Sequence, residues 1–291
     1  MNWLVMYIHI MISQDPSILS SCTRNRFGYF QFGTNEPGTA TSDEYACAQH
    51  AGAERLAIDY MLPLLQGSKR VLDVGCGVGA LVNAMVRHGY DAYGFDVPAL
   101  ASQWAKASNE YDRFFCGDAA ELPFPNDCFD AVTSLGVIEH IGTAIGHCTL
   151  SDNYWEQRRA YAHEILRVTR PGGKIVIACP NKTFPVDIQH GPTDALSSPA
   201  PIRSFLCNKT GLNIHKTWGK YHLLSHRELR QLFPGVSYFT PLPLKGFFGF
   251  SRFSRGFLSP FSAIAHGWVE HMPGVFAESC LNPYVLVQMT K

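Results

Sequence analysis

The stretch VLDVGCGVGALV, residues 71–82, sets one acid, Asp73, ahead of three glycines at every second position, Gly75, Gly77 and Gly79. A short apolar run closed by such a turn and followed by a helix makes a cradle for a nucleotide-like ligand, because the missing side chains let backbone N–H groups approach it. Gly75, Gly77 and Ala80 also satisfy the dinucleotide pattern G-x-G-x-x-A. A pyrophosphate at this turn would be repelled by Asp73, whereas a ligand carrying a cationic amino group and a sulfonium would be drawn to it. Asp96 closes the next strand, 17 residues after Gly79, where an acid accepts hydrogen bonds from both hydroxyls of a ribose. Nicotinamide dinucleotides and S-adenosylmethionine share that ribose, so Asp96 does not choose between them. The third strand does: GDAAELPFPNDCFDAV, residues 117–132, puts Asp118 where its carboxylate receives an adenine amino group.

Histidine supplies the next chemistry. His140, in VIEHI, follows the fourth strand at the carboxyl edge of the sheet, where open α/β folds bind ligands, and its ordinary pKa suits it to accept a substrate proton. The competing reading has Glu139 and His140 pinning a loop or bordering the cofactor. His190, in the segment after the fifth strand, is a second candidate. His222 and His226 form H-x-x-x-H, the spacing of two metal ligands on one helix face. No third ligand accompanies them, and a helix capped by Ser225 leaves His222 outside it, so both are expected to be surface or lid residues and no metal site is expected. The sequons at Asn181 and Asn208 are chance matches, with Asn181 at the rim of the site.

These residues need a scaffold, and the periodicity of the chain supplies one. AERLAIDYMLPLL spaces apolar residues at helical intervals and leads into the strand KRVLDVG. ALVNAMVRHG, DAYGFDV, PALASQWAKAS and RFFCGD continue as helix, strand, helix and strand, then CFDAVTSLGV, NYWEQRRAYAHEILRVT and GGKIVIACP as strand, helix and strand. Strands alternating with helices imply right-handed crossovers and a doubly wound α/β fold, a mostly parallel sheet covered on both faces. Residues 1–45 read as an irregular N-terminal segment and 46–291 as one domain. Within it an insertion over 181–224 has no clean strand, SHRELRQLF is a short helix opened by the Ser225/Glu228 capping box, and VSYFTPL and PYVLVQMT add two strands. An aromatic cap over 241–281 lies between those two. Its stretch 241–268 holds seven aromatics and three basic residues without an acid. That composition suits a roof over an apolar substrate, a segment lying in a membrane interface with Lys245, Arg252 and Arg255 toward headgroups, or a cap packed on the core.

Composition narrows the partners. Lys plus Arg equals Asp plus Glu at 24 each, so no charge excess advertises nucleic acid, and a small neutral or mixed substrate is expected. Charged residues make up 16 % of the chain, against about 25 % in ordinary soluble domains. That hints at extra covered surface. Nine scattered cysteines without a C-x-x-C pair fit a reducing compartment, so the expected location is cytoplasmic, with peripheral membrane contact through 241–268. The start MNWLVMYIHIMI is apolar but too short for a membrane span, and without a Lys or Arg before Arg24 it lacks a signal peptide's basic n-region. It reads as a disordered lead or a mis-assigned start, with Met6 or Met11 as alternatives.

Four blocks taken in order, VLDVGCGVG, GFDV, GDAAELPFPNDCFDAV with SLGVIEHI, and EILRVTRPGGKIVIACPN, resemble the class I S-adenosylmethionine-dependent methyltransferases, in particular the type 11 group of small-molecule enzymes. The resemblance runs from about residue 50 to 185. It implies seven strands in the order 3-2-1-4-5-7-6 with the last antiparallel. It also implies that Asp73, Gly75 and Gly77 hold the methionyl end while Gly79 lets the helix pack closely. Asp96 would take the ribose, Val97 cover one adenine face, Asp118 and the Ala119 backbone read the adenine edge, and Leu135 lie beside the sulfonium. Methyl transfer is an in-line displacement, so orientation comes first, and a base such as His140 is needed only for an acceptor that arrives protonated. The expected function is methylation of oxygen or nitrogen on a small, hydrophobic or lipid-linked metabolite. A nicotinamide-dependent oxidoreductase using the same loop and a catalytically silent binding module of the same fold are the alternatives.

Overall fold

The computed structural model describes residues 22–24, 30–32, 52–53, 55–97, 111–143, 149–190, 201–210, 212–245 and 259–291. The apolar start, most of the segment up to residue 45, the helix expected over 98–108, the side chain of Asn208 and the aromatic-rich residues 246–258 lie outside the described residues. A short antiparallel ladder, β1 (Cys22–Arg24) with β2 (Phe30–Phe32), precedes the domain.

Seven strands form the main sheet: β3 (Arg70–Val74), β4 (Asp91–Asp96), β5 (Phe114–Cys116), β6 (Phe129–Leu135), β7 (Thr169–Pro180), β10 (Tyr238–Pro241) and β11 (Tyr284–Thr290), in the order β10-β11-β7-β6-β3-β4-β5. Numbered within the sheet this is 3-2-1-4-5-7-6, as the resemblance implied. β11 runs antiparallel to both its neighbours, and the pairs β3–β4, β4–β5, β3–β6 and β6–β7 are parallel. The central strands are mostly apolar because both faces are covered, with Asp73, Thr133 and Ser134 as buried polar exceptions. Val71, Ala131 and Val176 face α1 (Ala80–Arg87) and the helical segment at 57–64, whereas Leu72, Val132 and Ile175 face α2 (Tyr154–Val168). Side-chain alternation along each strand thus feeds two cores, one on each side.

Local chemistry sets the element ends. α2 stops at Thr169, which is extended and whose hydroxyl donates to the Ile165 carbonyl at 2.6 Å, just ahead of Pro171 and the glycine pair. The helix α4 (His226–Leu232) is opened by the expected capping box: Ser225 Oγ accepts the Glu228 N–H at 3.3 Å, and Glu228 Oε2 accepts the Ser225 N–H at 2.9 Å. The insertion departs from the expectation of no strand. β8 (Val186–Asp187) pairs antiparallel with β9 (Asn213–Ile214), with α3 (Pro201–Thr210) between them in the chain. Two-residue strands are too short to show an alternating pattern, which is why periodicity passes over them. In the cap, α5 (Ser259–His271) sends Val269 into the core and leaves Ile264 exposed, and the Trp268 indole N–H donates to the Leu281 carbonyl at 3.0 Å.

One packing constraint can be tested here. Gly79 opens α1 at φ +73, and a Cβ there would lie 2.2 Å from Phe114 Cε1, whereas Gly172, also at φ +73, has nothing within 4 Å. Gly172→Ala should lose only the left-handed backbone penalty of ~1 kcal/mol. Gly79→Ala should lose ~3 kcal/mol because the ring must move as well. Denaturant unfolding of the two variants measures the gap, and equal losses would show that the Phe114 ring yields freely.

Candidate active site

The carboxyl ends of β6, β3, β4 and β5 lie side by side, and the residues singled out by the sequence gather there. The turn after β3 is stitched to β4: the N–H groups of Gly75 and Cys76 donate to the Phe95 carbonyl at 2.7 and 3.2 Å. Gly75 (φ +84) passes so close to the next loop that a Cβ would fall 2.0 Å from Val137 Cγ2. Gly77 donates its N–H to Asp96 Oδ2 at 2.6 Å, and Val97 donates to Asp96 Oδ1 at 2.7 Å. Burial still raises Asp96 to about 6, against those two hydrogen bonds. Carboxylate oxygens accept more than one hydrogen bond each, so Asp96 keeps acceptor capacity toward the crevice.

Asp73 is more constrained. It is 4 % exposed, and the Thr133 hydroxyl on the neighbouring strand donates to its Oδ1 at 2.7 Å. Burial pushes its pKa up to about 7, opposed by the Thr133 bond and reinforced by the charge of Asp96. A cavity of ≈ 330 Å³ opens beside it, lined among others by Arg55, Tyr60, Asp73, Gly75, Cys76 and Leu135. Another depression, by Asp127 and Lys291, lies before β6 begins, away from the glycine turn.

Asp73, Gly75 and Leu135 therefore share one cavity, while Gly77, Asp96 and Val97 are joined to it through hydrogen bonds along the sheet edge. Asp118 stands one strand farther on, its Oδ1 accepting the Ala120 N–H at 2.8 Å, beside a Gly117 N–H that donates to the Asp96 carbonyl at 3.1 Å. Neither Asp118 nor Ala119 lines the cavity. Sequence reading missed the wall formed by residues 52–60, including Arg55 and Tyr60. Tyr60 also donates its hydroxyl proton to the Lys245 carbonyl, tying that wall to the start of the cap. Nothing local marks these residues, because their link to the glycine turn is made across the fold.

A second group lies in the loop after β6 and in the insertion. His140 and His190, distant in sequence, meet with their Nε2 atoms 3.2 Å apart. His190 Nδ1 faces Asp187 Oδ1 and Oδ2 at 3.0 and 3.1 Å, and His222 Nε2 lies 3.3 Å from Asp187 Oδ2. Burial opposes the ionisation of Asp187, but the two histidines together hold it well below the usual carboxylate range. Glu139 is fully buried, and neither of its oxygens has a hydrogen-bond partner. Burial raises it to about 7.

Two expectations are corrected. His222 and His226 are 0 % and 3 % exposed, not surface or lid residues; burial lowers both to about 4. Ser225 does leave His222 outside α4, but the segment before the helix folds inward against Asp187. Asn181 is likewise fully buried, not at a rim, because its amide donates to the Ser279 and Asn282 carbonyls at 3.1 and 2.8 Å.

Arg158 of α2, 1 % exposed, holds this group in place. Its guanidinium donates to the carbonyls of Ile141 at 3.1 Å, Glu139 at 3.1 Å and His222 at 2.6 Å.

The sheet order with its reversed last strand, together with the acid ahead of a left-handed glycine turn, defines the class I methyltransferase architecture. Residues 72–177 match the family model described as a methyltransferase domain, and the sheet has the order of the class I S-adenosylmethionine-dependent methyltransferase fold. Among curated proteins it is similar to a demethylmenaquinone methyltransferase of Renibacterium salmoninarum, 33% identical over 139 residues, 47% of this chain and 52% of that protein. It is also similar to a ubiquinone biosynthesis O-methyltransferase of Alkalilimnicola ehrlichii, 29% identical over 136 residues, 44% of this chain and 49% of that protein. A 2-methyl-6-phytyl-1,4-hydroquinone methyltransferase of Synechocystis is 30% identical over 137 residues, 44% of this chain and 36% of that protein. The chain spans about half the length of the first two.

The observed site fits the cofactor of this class. A buried carboxyl beside an open cavity favours a cationic ligand, and the glycine turn leaves room that side chains would fill.

The Arg158 clamp yields a prediction. Arg158→Met keeps much of the volume but leaves three carbonyls without their donor, so stability should fall by ~3 kcal/mol. Urea unfolding checks this, and a loss within error of zero would show that water replaces the guanidinium.

Proposed function

We propose that this chain transfers the methyl group of S-adenosylmethionine to an oxygen or nitrogen of a small, hydrophobic or lipid-linked metabolite. The observation that carries the reading is Asp73: a carboxylate buried at the edge of a cavity with one side-chain donor is an unfavourable arrangement that a bound cation relieves. When bound, the cofactor supplies an electrophilic methyl group on a sulfonium. The chain's own residues then hold and orient. Asp73, Gly75 and Gly77 receive the methionyl end, and Gly79 lets α1 approach. Asp96 accepts from the ribose, Val97 and the Ala119 backbone border the adenine with Asp118, and Leu135 keeps water from the reacting centre. His140 and His190 prepare the acceptor for attack.

The acceptor class draws on the relatives, whose names specify menaquinone, ubiquinone and phytyl-hydroquinone chemistry, all apolar small molecules. The aromatic stretch 241–268 suits such an acceptor as a roof or as a contact with a membrane surface. No helix among the described residues is long and apolar enough to cross a membrane. The odd, scattered set of nine cysteines supports a reducing, cytoplasmic location.

Two measurements test this reading. S-adenosylhomocysteine should raise the melting temperature and NAD should not, while Asp96→Ala should weaken S-adenosylhomocysteine by about 1–3 kcal/mol, roughly tenfold to a hundredfold. Stabilisation by NAD alone would point to an oxidoreductase, and by neither to a silent module.

The second is a pH dependence. Asp73 in the ligand-free protein is protonated up to about pH 7, and a cationic ligand requires its ionised form. Binding below that pH must therefore expel a proton, and affinity for S-adenosylmethionine should rise by up to about tenfold per pH unit until pH ~7 and then level off. Calorimetry in buffers of different ionisation enthalpy counts the proton directly. A flat profile from pH ~5.5 to ~8, with no proton released, would remove Asp73 from the binding site.

A further inference from the structure

We propose that Glu139, His140 and His190 bind a divalent transition-metal ion. Each offers one ligand atom, and the three atoms lie within 4.8 Å of one another. The Nε2 atoms of the two histidines are 3.2 Å apart. A tetrahedral ion with metal–nitrogen bonds of ~2.05 Å would hold two such nitrogens ~3.3 Å apart. A hydrogen bond between the rings would explain that pair alone, but it leaves Glu139 unexplained. Both carboxylate oxygens of Glu139 are buried without a hydrogen-bond partner, an arrangement that is costly unless something charged belongs beside them.

The surroundings are arranged as a metal site requires. Asp187 accepts the backbone N–H groups of Gln189 and His190 at 3.1 and 3.0 Å and faces His190 Nδ1 at 3.0 Å. Asp187 accepts a hydrogen bond from Nδ1–H of His190, so the lone pair of His190 sits on Nε2, the atom turned toward His140. Carboxylate, imidazole and ion in that sequence fix the tautomer and raise ligand basicity. Arg158 holds the carbonyls on either side of His140, those of Glu139 and Ile141. Glu139 and His190 are buried whereas His140 is half-buried, so the open coordination position lies on its side. Two imidazoles and one carboxylate suit Zn²⁺, Co²⁺, Mn²⁺ or Fe²⁺ better than Mg²⁺ or Ca²⁺, which take oxygen ligands.

Asp187, His190 and His222 form an alternative donor set, entirely buried. Asp187 already accepts two backbone donors, so it is better suited to orient a ligand than to be one. The role of the ion rests on the methyltransferase reading. An acceptor hydroxyl bound to it would lose its proton to water at neutral pH, and the resulting oxygen would form its bond to the methyl carbon as the carbon–sulfur bond breaks. The two histidines would then act through the ion and not by taking the proton themselves.

The experiment is a titration of the untagged full chain, stripped with chelator, with cobalt chloride. One Co²⁺ per chain should bind and give visible ligand-field bands that Zn²⁺ abolishes. Glu139→Gln and His190→Ala should lose those bands, Asp187→Asn should weaken binding ~10- to 100-fold, and His163→Ala, on an exposed ring, should change nothing. Retained stabilisation by S-adenosylhomocysteine shows that the variants are folded. If His190→Ala does not fold, the near-isosteric Glu139→Gln decides. Absence of stoichiometric bands in the wild type, or bands that survive Glu139→Gln, would overturn the site. Bands lost in His222→Ala yet kept in Glu139→Gln would move the ion to Asp187 and overturn it equally. Cobalt binding without any response to S-adenosylhomocysteine would leave the metal site standing and remove the methyltransferase reading on which its role rests.

Discussion

A carboxyl group set almost wholly out of water at the end of the first sheet strand is the constraint around which the remaining structure is arranged. Asp73 occupies a position that an apolar side chain would fill more favourably, between β4 and β6 and under a turn of left-handed glycines. Thr133 offsets part of the desolvation, and the rest persists as a raised pKa. The glycines follow from the same demand. Gly75 must pass within contact of Val137 for the turn to close over the strand end, and Gly79 must bring α1 against Phe114. A carboxyl held this firmly out of water is a cost that the chain's own partners offset only in part.

The second buried polar group is organised differently. Asp73 depends on its neighbours in the sheet, where strand pairing alone fixes the geometry. Glu139, His140, His190 and His222 come from three loops that strand pairing does not align. Arg158, projecting from α2, binds the carbonyls of two of those loops, and the short β8–β9 ladder supplies Asp187 to the third. The helix thus does for the histidine group what the parallel strands do for the glycine turn. One consequence is that the histidine group depends on a desolvated guanidinium whose hydrogen bonds all go to backbone oxygens, so its loops are held by bonds that water cannot readily replace.

The sheet and its glycine turn were legible in the sequence. The strands of the doubly wound core are short and mostly apolar, and Asp73 and Asp96 stand at or next to the last residue of β3 and β4. The Ser225/Glu228 capping box announced α4 because both partners lie within one turn. The histidine group was legible only in fragments. His140 and His190 could be named as candidates, but their approach to 3.2 Å depends on the insertion folding back, and a two-residue ladder leaves no periodic trace. Asp187 was missed for the same reason, and His222 was misplaced because a local cap says where a helix begins and not what the preceding residues bury against. The wall at 52–60, with Arg55 and Tyr60, reads locally as ordinary amphipathic helix.

This difference in legibility has a physical source that also bears on specificity. The segment shared with the methyltransferase domain model ends at residue 177, within β7, and so includes Asp73, Asp96, Asp118 and the Glu139–His140 pair. Asp187, His190 and His222 lie beyond it, on elements that enter after the fifth strand of the sheet. A family that keeps one cofactor and changes acceptors can hold the strand ends constant and vary what is inserted behind them. The histidine group joins the two parts: Glu139 and His140 come from the shared segment, and His190, which meets them, comes from the segment after it. Any chemistry that needs all three can therefore differ between relatives whose cofactor turns are alike.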